Sequence, residues 1–543
     1  MKGMDTNSMD KVIGIVKAYC NSNTKDKILT ILLSLFFCLS IGIGHMVEKM
    51  GYLDLGEMTG ILAALLLTPV VAVGIYAFYD WMASKEKASD VGSGFSWKCR
   101  TVIFLFLILC WGIVLLGVFP GFFLYDAQDE LNQVLTRNFT THHPLFHVLY
   151  MGGLVQAGNK LFGSYNAGIC VLMLFQMICF AAGFTYMVDR MKSVGMSVRY
   201  GIFTILFLGL FPVIPMMVLC SSKDALFSLI MVLWMVETYI CQRRECQRFS
   251  IFWAGLTILL VLLRNNAIYA LLALGVAVAF FLKKERKKLL SGLLISIVIA
   301  KLFSMGLAFL FHADSLEYQE ILTVPIQQLT RTYHLQPELF SEEELEILYS
   351  YIPESYLEKY EPKLSDSVKI GFQNEKFAEN KADFFKLWAG IGKKSPMSFV
   401  NAWLLTSYGY WYPDATVDVY RGHTVYTFTY GDSSYFGYET EQPGVRNSFI
   451  PAIDSTYRYL SLENWKEKAP VLYLLFSPGF MLWIQLFGIG FLWKKYGLSA
   501  ILPYGCILFV VATLLLGPTF LPRYVFFLWP CNLFLLCDMK LGR

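Results

Sequence analysis

Apolar residues run along this chain in blocks of roughly 20, the length an α-helix needs to cross the hydrocarbon core of a bilayer. The blocks cover 28–47, 58–82, 101–119, 166–188, 201–219, 224–241, 249–264, 266–282, 289–311, 470–493, 498–517 and 521–537. They predict an all-α polytopic membrane protein of about twelve transmembrane helices. A further apolar stretch, 144–162, carries His147, Gln156, Asn159 and Lys160 and fits an interfacial helix better than a span. The segment 312–469 breaks the pattern and is too long for a connector, so it should fold as a mixed, mainly helical domain. Ser341 and Glu344 have the spacing of a capping box that opens a helix. Pro396 suits the first turn of another, running through Phe399, Trp403 and Leu404 to Trp411. Tyr, Phe, Thr and Gly between 420 and 445 suggest a small β-hairpin.

Composition agrees with the pattern. Of 543 residues 56% are hydrophobic and 16% charged, with a mean hydropathy of +0.51. Soluble proteins carry roughly 25% charged residues, so a soluble globular enzyme is excluded. The net charge of +4 says little until it is sorted by side. With both termini inside, segments 1–27, 83–100, 189–199, 241–248, 283–288, 494–495 and 538–543 hold 24 Lys and Arg. The short segments on the other side hold six, a clear positive-inside bias. The implied organisation is a cytoplasmic segment 1–27, a transmembrane domain 28–311 with a first outer loop at 120–165, an extracytoplasmic domain 312–469, and C-terminal transmembrane helices in 470–543. That extracytoplasmic domain holds 23 acids and 14 bases, a net of −9, against +13 for the remainder. It contains none of the twelve cysteines, which favours a bacterial plasma membrane over a eukaryotic lumen. The first apolar run is of full spanning length, so no cleavable signal is expected.

Unusual polar groups then gather on the outer side. Asp126, Asp129 and Glu130 follow Pro120-Gly121, and His142-His143-Pro144 close the same loop. Lys223-Asp224, Arg264-Asn265 and Arg523-Tyr524 mark three other helix ends. Charges at membrane boundaries are costly and tend to face partners, cavities or ligands. Carboxylates there can take a proton or hold a divalent ion, and Lys or Arg can hold a phosphate. Each also has a plainer role. The acids can be a solvated connector, Lys223-Asp224 a local ion pair, and Arg264 and Arg523 snorkelling anchors. Lys301, deep in an apolar run, can snorkel or face a cavity.

The stretch Pro120–Ala167 resembles the first outer loop of GT-C glycosyltransferases, integral membrane enzymes that use lipid-linked sugars. It pairs Asp126 and nearby acids with a helix around Leu131–Leu135, then His143-Pro144-Leu145 and Leu161-Phe162-Gly163. From 115 onward the chain also resembles an uncharacterised bacterial group within that superfamily. The resemblance is carried by His142-His143-Pro144, Lys223-Asp224-Ala225-Leu226-Phe227, Arg264-Asn265, Pro325–Arg331 and Gly409-Tyr410-Trp411-Tyr412-Pro413. Two departures stand out: the Asp126–Pro144 loop is short, and Asp126 is followed by Ala127 rather than by an acid.

The resemblance implies inverting transfer of a sugar from a polyprenyl-phosphate-linked donor to an envelope glycan or lipid acceptor. Asp126 would be the general base, with Asp129 in reserve. Arg264, Lys223 and Arg523 would bind the donor phosphate. His142, His143, Glu130, Asp224, Asn265 and Tyr524 would position loop or donor, and Tyr410 and Trp411 would contact sugar rings. The resemblance fixes no cofactor. The loop acids permit a divalent cation, Mg or Mn, with Asp126 and Asp129 as ligands. The partners are lipid-linked donor, acceptor and bilayer, with no nucleic acid. Two other classes compete: a transporter or flippase of envelope lipid or glycan, and a non-catalytic envelope assembly protein. A transporter should show internal repeats and mid-bilayer binding residues, and neither is evident.

Overall fold

The computed structural model describes residues 6–85, 92–247, 249–283, 286–313, 317–419, 440–463 and 465–542. Among these the chain is helical, with two isolated β-bridges and no strands. The hairpin expected at 420–445 lies largely outside the described residues.

The all-α membrane architecture stands, but twelve spans do not. Five helices are long and apolar enough to cross a bilayer: Thr24–Met50, Trp97–Gly117, Tyr165–Ser193, Lys223–Arg243 and Arg286–Leu310. The pair Thr59–Leu66 and Thr68–Ser84, bent by 41°, makes a sixth if it counts as one span. Other predicted spans are helical but shorter, among them Val198–Leu210, Ile251–Leu263, Ala267–Phe281 and Leu498–Leu514. Their boundaries have local causes. The predicted pair 249–264 and 266–282 breaks at Arg264, whose backbone is extended. Helix Val198–Leu210 stops before Pro212, which cannot donate into a continuing helix. All twelve cysteines are free thiols.

The breaks cluster at one end of the bundle, where two segments are tied together. Phe122 N–H donates to the Leu219 carbonyl at 2.8 Å, and Ser221 N–H to the Phe122 carbonyl at 3.0 Å. Leu124 N–H donates to Ser221 Oγ at 2.9 Å. From helix Tyr165–Ser193 the buried Gln176 amide donates to the carbonyls of Val218 and Cys220, at 3.1 and 2.8 Å. Irregular backbone this deep among apolar helices is tolerable only when its polar groups are satisfied in this way. The tie fixes the start of helix Tyr125–Thr136 beside the start of helix Lys223–Arg243. Gly121 makes the approach possible. Its φ is +123°, and a Cβ there would sit 2.6 Å from Met173 Cγ.

Segment 317–419 builds a second core from Leu322, Ile326, Leu329, Leu348, Tyr351 and Phe384, among others. The capping box forms as expected: Ser341 and Glu344 exchange side-chain and backbone bonds at the start of helix Glu342–Tyr351. Pro396 opens helix Pro396–Ser407, which tightens to a 3-10 turn at Tyr408–Tyr410 before Trp411. This body is fastened to the same end of the bundle. Ser365 N–H donates to the Pro518 carbonyl at 3.1 Å, and Trp403 Nε1 to the Leu515 carbonyl at 2.9 Å. Asn401 bonds both N–H and carbonyl of Leu53.

Gly121→Ala should therefore cost about 1–3 kcal/mol through backbone strain and the Met173 clash. A lowered midpoint of thermal unfolding in detergent would show it, and an unchanged midpoint would mean that the Pro120–Leu124 tie is looser than described.

Candidate functional site

Asp126 lies in the first turn of helix Tyr125–Thr136, where the helix N-terminus favours an anion. Its Oδ2 receives Arg523 Nη1 at 3.1 Å and stands 3.6 Å from Lys223 Nζ. Arg523, only 2% exposed, also donates to Ser222 Oγ at 3.4 Å and to the hydroxyls of Tyr125 and Tyr524, each at 3.3 Å. Asp224 is fully buried and answers two cations. Its Oδ1 is 2.9 Å from Arg264 Nη1, and its Oδ2 is 3.8 Å from Arg523 Nε. The Arg264 guanidinium lies 4.9 Å from the Tyr524 ring centre and 5.6 Å from that of Phe227. Residues from four distant parts of the sequence thus meet at one place, three cations in direct contact with two carboxylates.

Burial alone would raise the Asp126 carboxyl, but Arg523 and Lys223 outweigh it and hold it well below the ordinary range. Burial, with Lys223 adding to it, holds His143 well below its usual value, so this imidazole is neutral. Lys223 Nζ donates to His143 Nδ1 at 2.8 Å, which leaves the ring proton on Nε2. Behind it, Glu130 Oε1 is 3.7 Å from His143 Nδ1, and Glu130 Oε2 pairs with the fully buried His147. Asp129 is exposed, and burial of part of its carboxyl together with the Asp126 charge raises it. Of the two acids nominated for proton abstraction, Asp129 is thus the more basic and Asp126 the better placed among cations.

The helical body at 317–419 walls the loop on the His142 side. His142, its ring edge-to-face with that of His143 at 4.4 Å between centres, meets Glu317 Oε2 at 2.5 Å and Glu320 Oε1 at 3.8 Å. The hydrogen bond to Glu317 is the main reason its imidazole is raised, against burial. Lys369 pairs with Glu320 and Asp366, both at 2.8 Å. A run of alternating charges therefore passes from His142 in the first loop into this body.

Asp126, Lys223, Asp224, Arg264, Arg523, Tyr524, His143 and Glu130, all nominated from sequence, are brought together. Asn265 lines an adjoining cleft of about 70 Å³ with Thr141, His143, Phe146, Ser304 and Leu307. Tyr410 and Trp411 are placed otherwise. Tyr410 is 1% exposed, its hydroxyl donating to the Thr519 carbonyl and accepting from Leu521 N–H. Trp411 is buried and donates to Ser407 Oγ. Both pack the interior and buttress the segment leading to Arg523 instead of presenting open faces. Lys301 is exposed on helix Arg286–Leu310. Sequence reasoning missed Tyr125, Ser222, His147, Glu317, Glu320, Asp366 and Lys369. Only Ser222 left a local signal, as the residue before Lys223 able to cap helix Lys223–Arg243.

Guanidinium groups and an ammonium converging on one spot, partly desolvated and backed by aromatic rings, are the donor types that hold anions such as phosphate.

The chain belongs to a family of unknown function (DUF6020), whose profile matches residues 133–519. The match takes in Lys223, Asp224, Arg264 and the Glu317–Lys369 wall, and leaves Asp126 and Arg523 just outside its ends. No curated protein and no solved structure matches the chain.

Asp224→Asn would leave Arg264 and Arg523 without their shared carboxylate. Breaking a buried pair in this way costs about 3–5 kcal/mol, so the variant should unfold at clearly lower denaturant or temperature than wild type. Wild-type stability for Asp224→Asn would mean that solvent, not Asp224, compensates the arginines.

Proposed function

We propose that this chain is a GT-C type membrane glycosyltransferase. It moves a sugar from a polyprenyl-phosphate-linked donor to an envelope glycan or lipid acceptor at the extracytoplasmic face of a bacterial plasma membrane. In this reading the apolar helical bundle surrounds the site, and both termini are cytoplasmic. The observation that carries the reading is the sharing of one pair of cations, Lys223 and Arg523, by Asp126 at the end of an apolar bundle.

The chemistry follows from that sharing. In the free protein Asp126 is a weak base, because Arg523 and Lys223 stabilise its charge. A phosphate entering beside Lys223, Arg264 and Arg523 competes for the same cations. As they turn to the phosphate, Asp126 regains basicity next to the anomeric carbon. Asp126 then takes the proton of the acceptor hydroxyl while that oxygen attacks with inversion. The C–O bond to the phosphate breaks, and its electron pair stays on the phosphate, where the three cations offset the growing charge. Asp224 positions two of them. A divalent cation is no part of this step.

With purified chain in proteoliposomes and a labelled polyprenyl-phosphate sugar, Asp126→Asn should lower transfer by about 10²-fold or more. Asp129→Asn should retain most of it. Loss in Asp129→Asn with full transfer by Asp126→Asn would reverse the assignment of the base. Lipid-linked sugar crossing the bilayer without transfer, unchanged by Asp126→Asn, would overturn the enzyme reading in favour of a flippase.

A further inference from the structure

We propose that His142, Glu317 and Glu320 bind one divalent first-row transition cation, of the Mn²⁺ or Zn²⁺ kind, which clamps the His142-His143 loop to the 317–419 body. Cation binding here is independent of whether Asp126 activates a hydroxyl.

The first support is convergence. One imidazole nitrogen and two carboxylate oxygens, from segments about 175 residues apart in sequence, lie within 4.8 Å of one another. Among the described residues this is the group of three His, Cys, Asp or Glu side chains that meets in this way. The 3-10 turn Tyr318–Glu320 sets Glu317 and Glu320 three residues apart, hence on one side of a tight turn. Carboxylate and imidazole donors sit roughly 2.0–2.2 Å from such an ion, which puts the donors themselves roughly 3 Å apart. His142 Nδ1 is already 2.5 Å from Glu317 Oε2 and 3.8 Å from Glu320 Oε1. Shifts of about an ångström by partly exposed side chains complete the set.

Orientation is the second support. Glu320 is not a loose surface acid. Its Oε2 is held by Lys369, which Asp366 holds in turn, so that Oε1 faces the imidazole. Groups of this kind behind a ligating carboxylate fix its direction and strengthen binding. The tie to Asn374 acts alike: its Oδ1 accepts from the backbone N–H groups of Tyr318 and Gln319, the residues between the two acids.

Donor chemistry selects the ion. Two oxygens and a nitrogen suit Mn²⁺ or Zn²⁺ better than Ca²⁺ or Mg²⁺, which take oxygen. Three protein donors leave positions for water. Asp126 is a poorer ligand than any of the three, since Arg523 and Lys223 already occupy its charged edge.

Mn²⁺ titrated into the purified full chain in detergent, followed by loss of the free-ion paramagnetic resonance signal, should saturate at one ion per chain, and Zn²⁺ should displace it. His142→Ala and Glu317→Gln should each weaken binding at least about tenfold, while Glu342→Gln, an exposed acid on the same body, should leave it unchanged. Thermal melts without metal check that the variants fold, and Glu317→Gln, which preserves side-chain size, carries the test if His142→Ala does not. No saturable Mn²⁺ or Zn²⁺ binding would overturn the site. So would binding undiminished in the folded variants, or equal displacement by Ca²⁺, which would mark mere accumulation of charge.

Discussion

A charge buried at the end of an apolar helix bundle must be answered by another, and here Asp224 answers two. Its oxygens face Arg264 and Arg523, which arrive from helix ends about 260 residues apart in the chain. An isolated ion taken out of water costs several kcal/mol, and a partner recovers this only with good geometry and further hydrogen bonds. The surrounding chain supplies them: Ser222 Oγ to Asp224, Tyr125 and Tyr524 hydroxyls to Arg523, and the Tyr524 carbonyl to Arg264. The helices stop where they do because these groups must reach one another. Arg264 breaks one helix pair, and Ser222 caps the next helix so that its side chain also meets Arg523.

This economy of charge bears on reactivity. Asp126 and an incoming phosphate would draw on the same Lys223 and Arg523, so the carboxylate is least basic when the site is empty. In the proposed reading, a base silenced until its anionic co-ligand arrives would limit wasteful reaction with water without a moving lid. It also separates the two acids of the loop. Asp129, raised by partial burial and by Asp126, would carry a proton more readily in the empty site. Yet it is exposed and has no cation pair of its own to exchange with a phosphate.

How much of this was legible in the sequence depended on the background against which each residue stood. Lys223, Asp224, Arg264 and Arg523 were visible because a charge ending an apolar run is rare and costly, and all four fell into the same cluster. Glu317, Glu320, Asp366 and Lys369 were not, since in a segment with 23 acids and 14 bases a charge carries no such signal. Only tertiary contact singles them out. Glu130 stood out among the loop acids, but its pairing with buried His147 did not, because their meeting depends on how helix Leu145–Phe162 packs beside helix Tyr125–Thr136. Tyr410 and Trp411 erred the other way. Aromatic density announced a surface for sugars, while both rings face inward, because a large apolar ring gains more from packing than from exposure. The twelve spans failed for a related reason: hydropathy measures apolar length, and helices interrupted at Arg264 or Pro212 keep their apolar content while losing the length to cross alone.

The placement of the 317–419 body changes what it must be. Had it been an appendage, its acids would face solvent, and its net negative charge would serve solubility or partner binding. Instead His142 from the first loop reaches toward Glu317 and Glu320, and Lys369 holds Glu320 and Asp366 beside it. The Ser365–Pro518 and Trp403–Leu515 bonds anchor the body on either side of that contact. Its acids thus meet the first loop at His142 and are answered within the body by Lys369, while Asp126 and Asp224 answer the bundle's own cations. In the proposed reading the anionic part of a donor would therefore compete with Asp126 and Asp224 for Lys223, Arg264 and Arg523, and the His142 contact would hold the loop that carries Asp126.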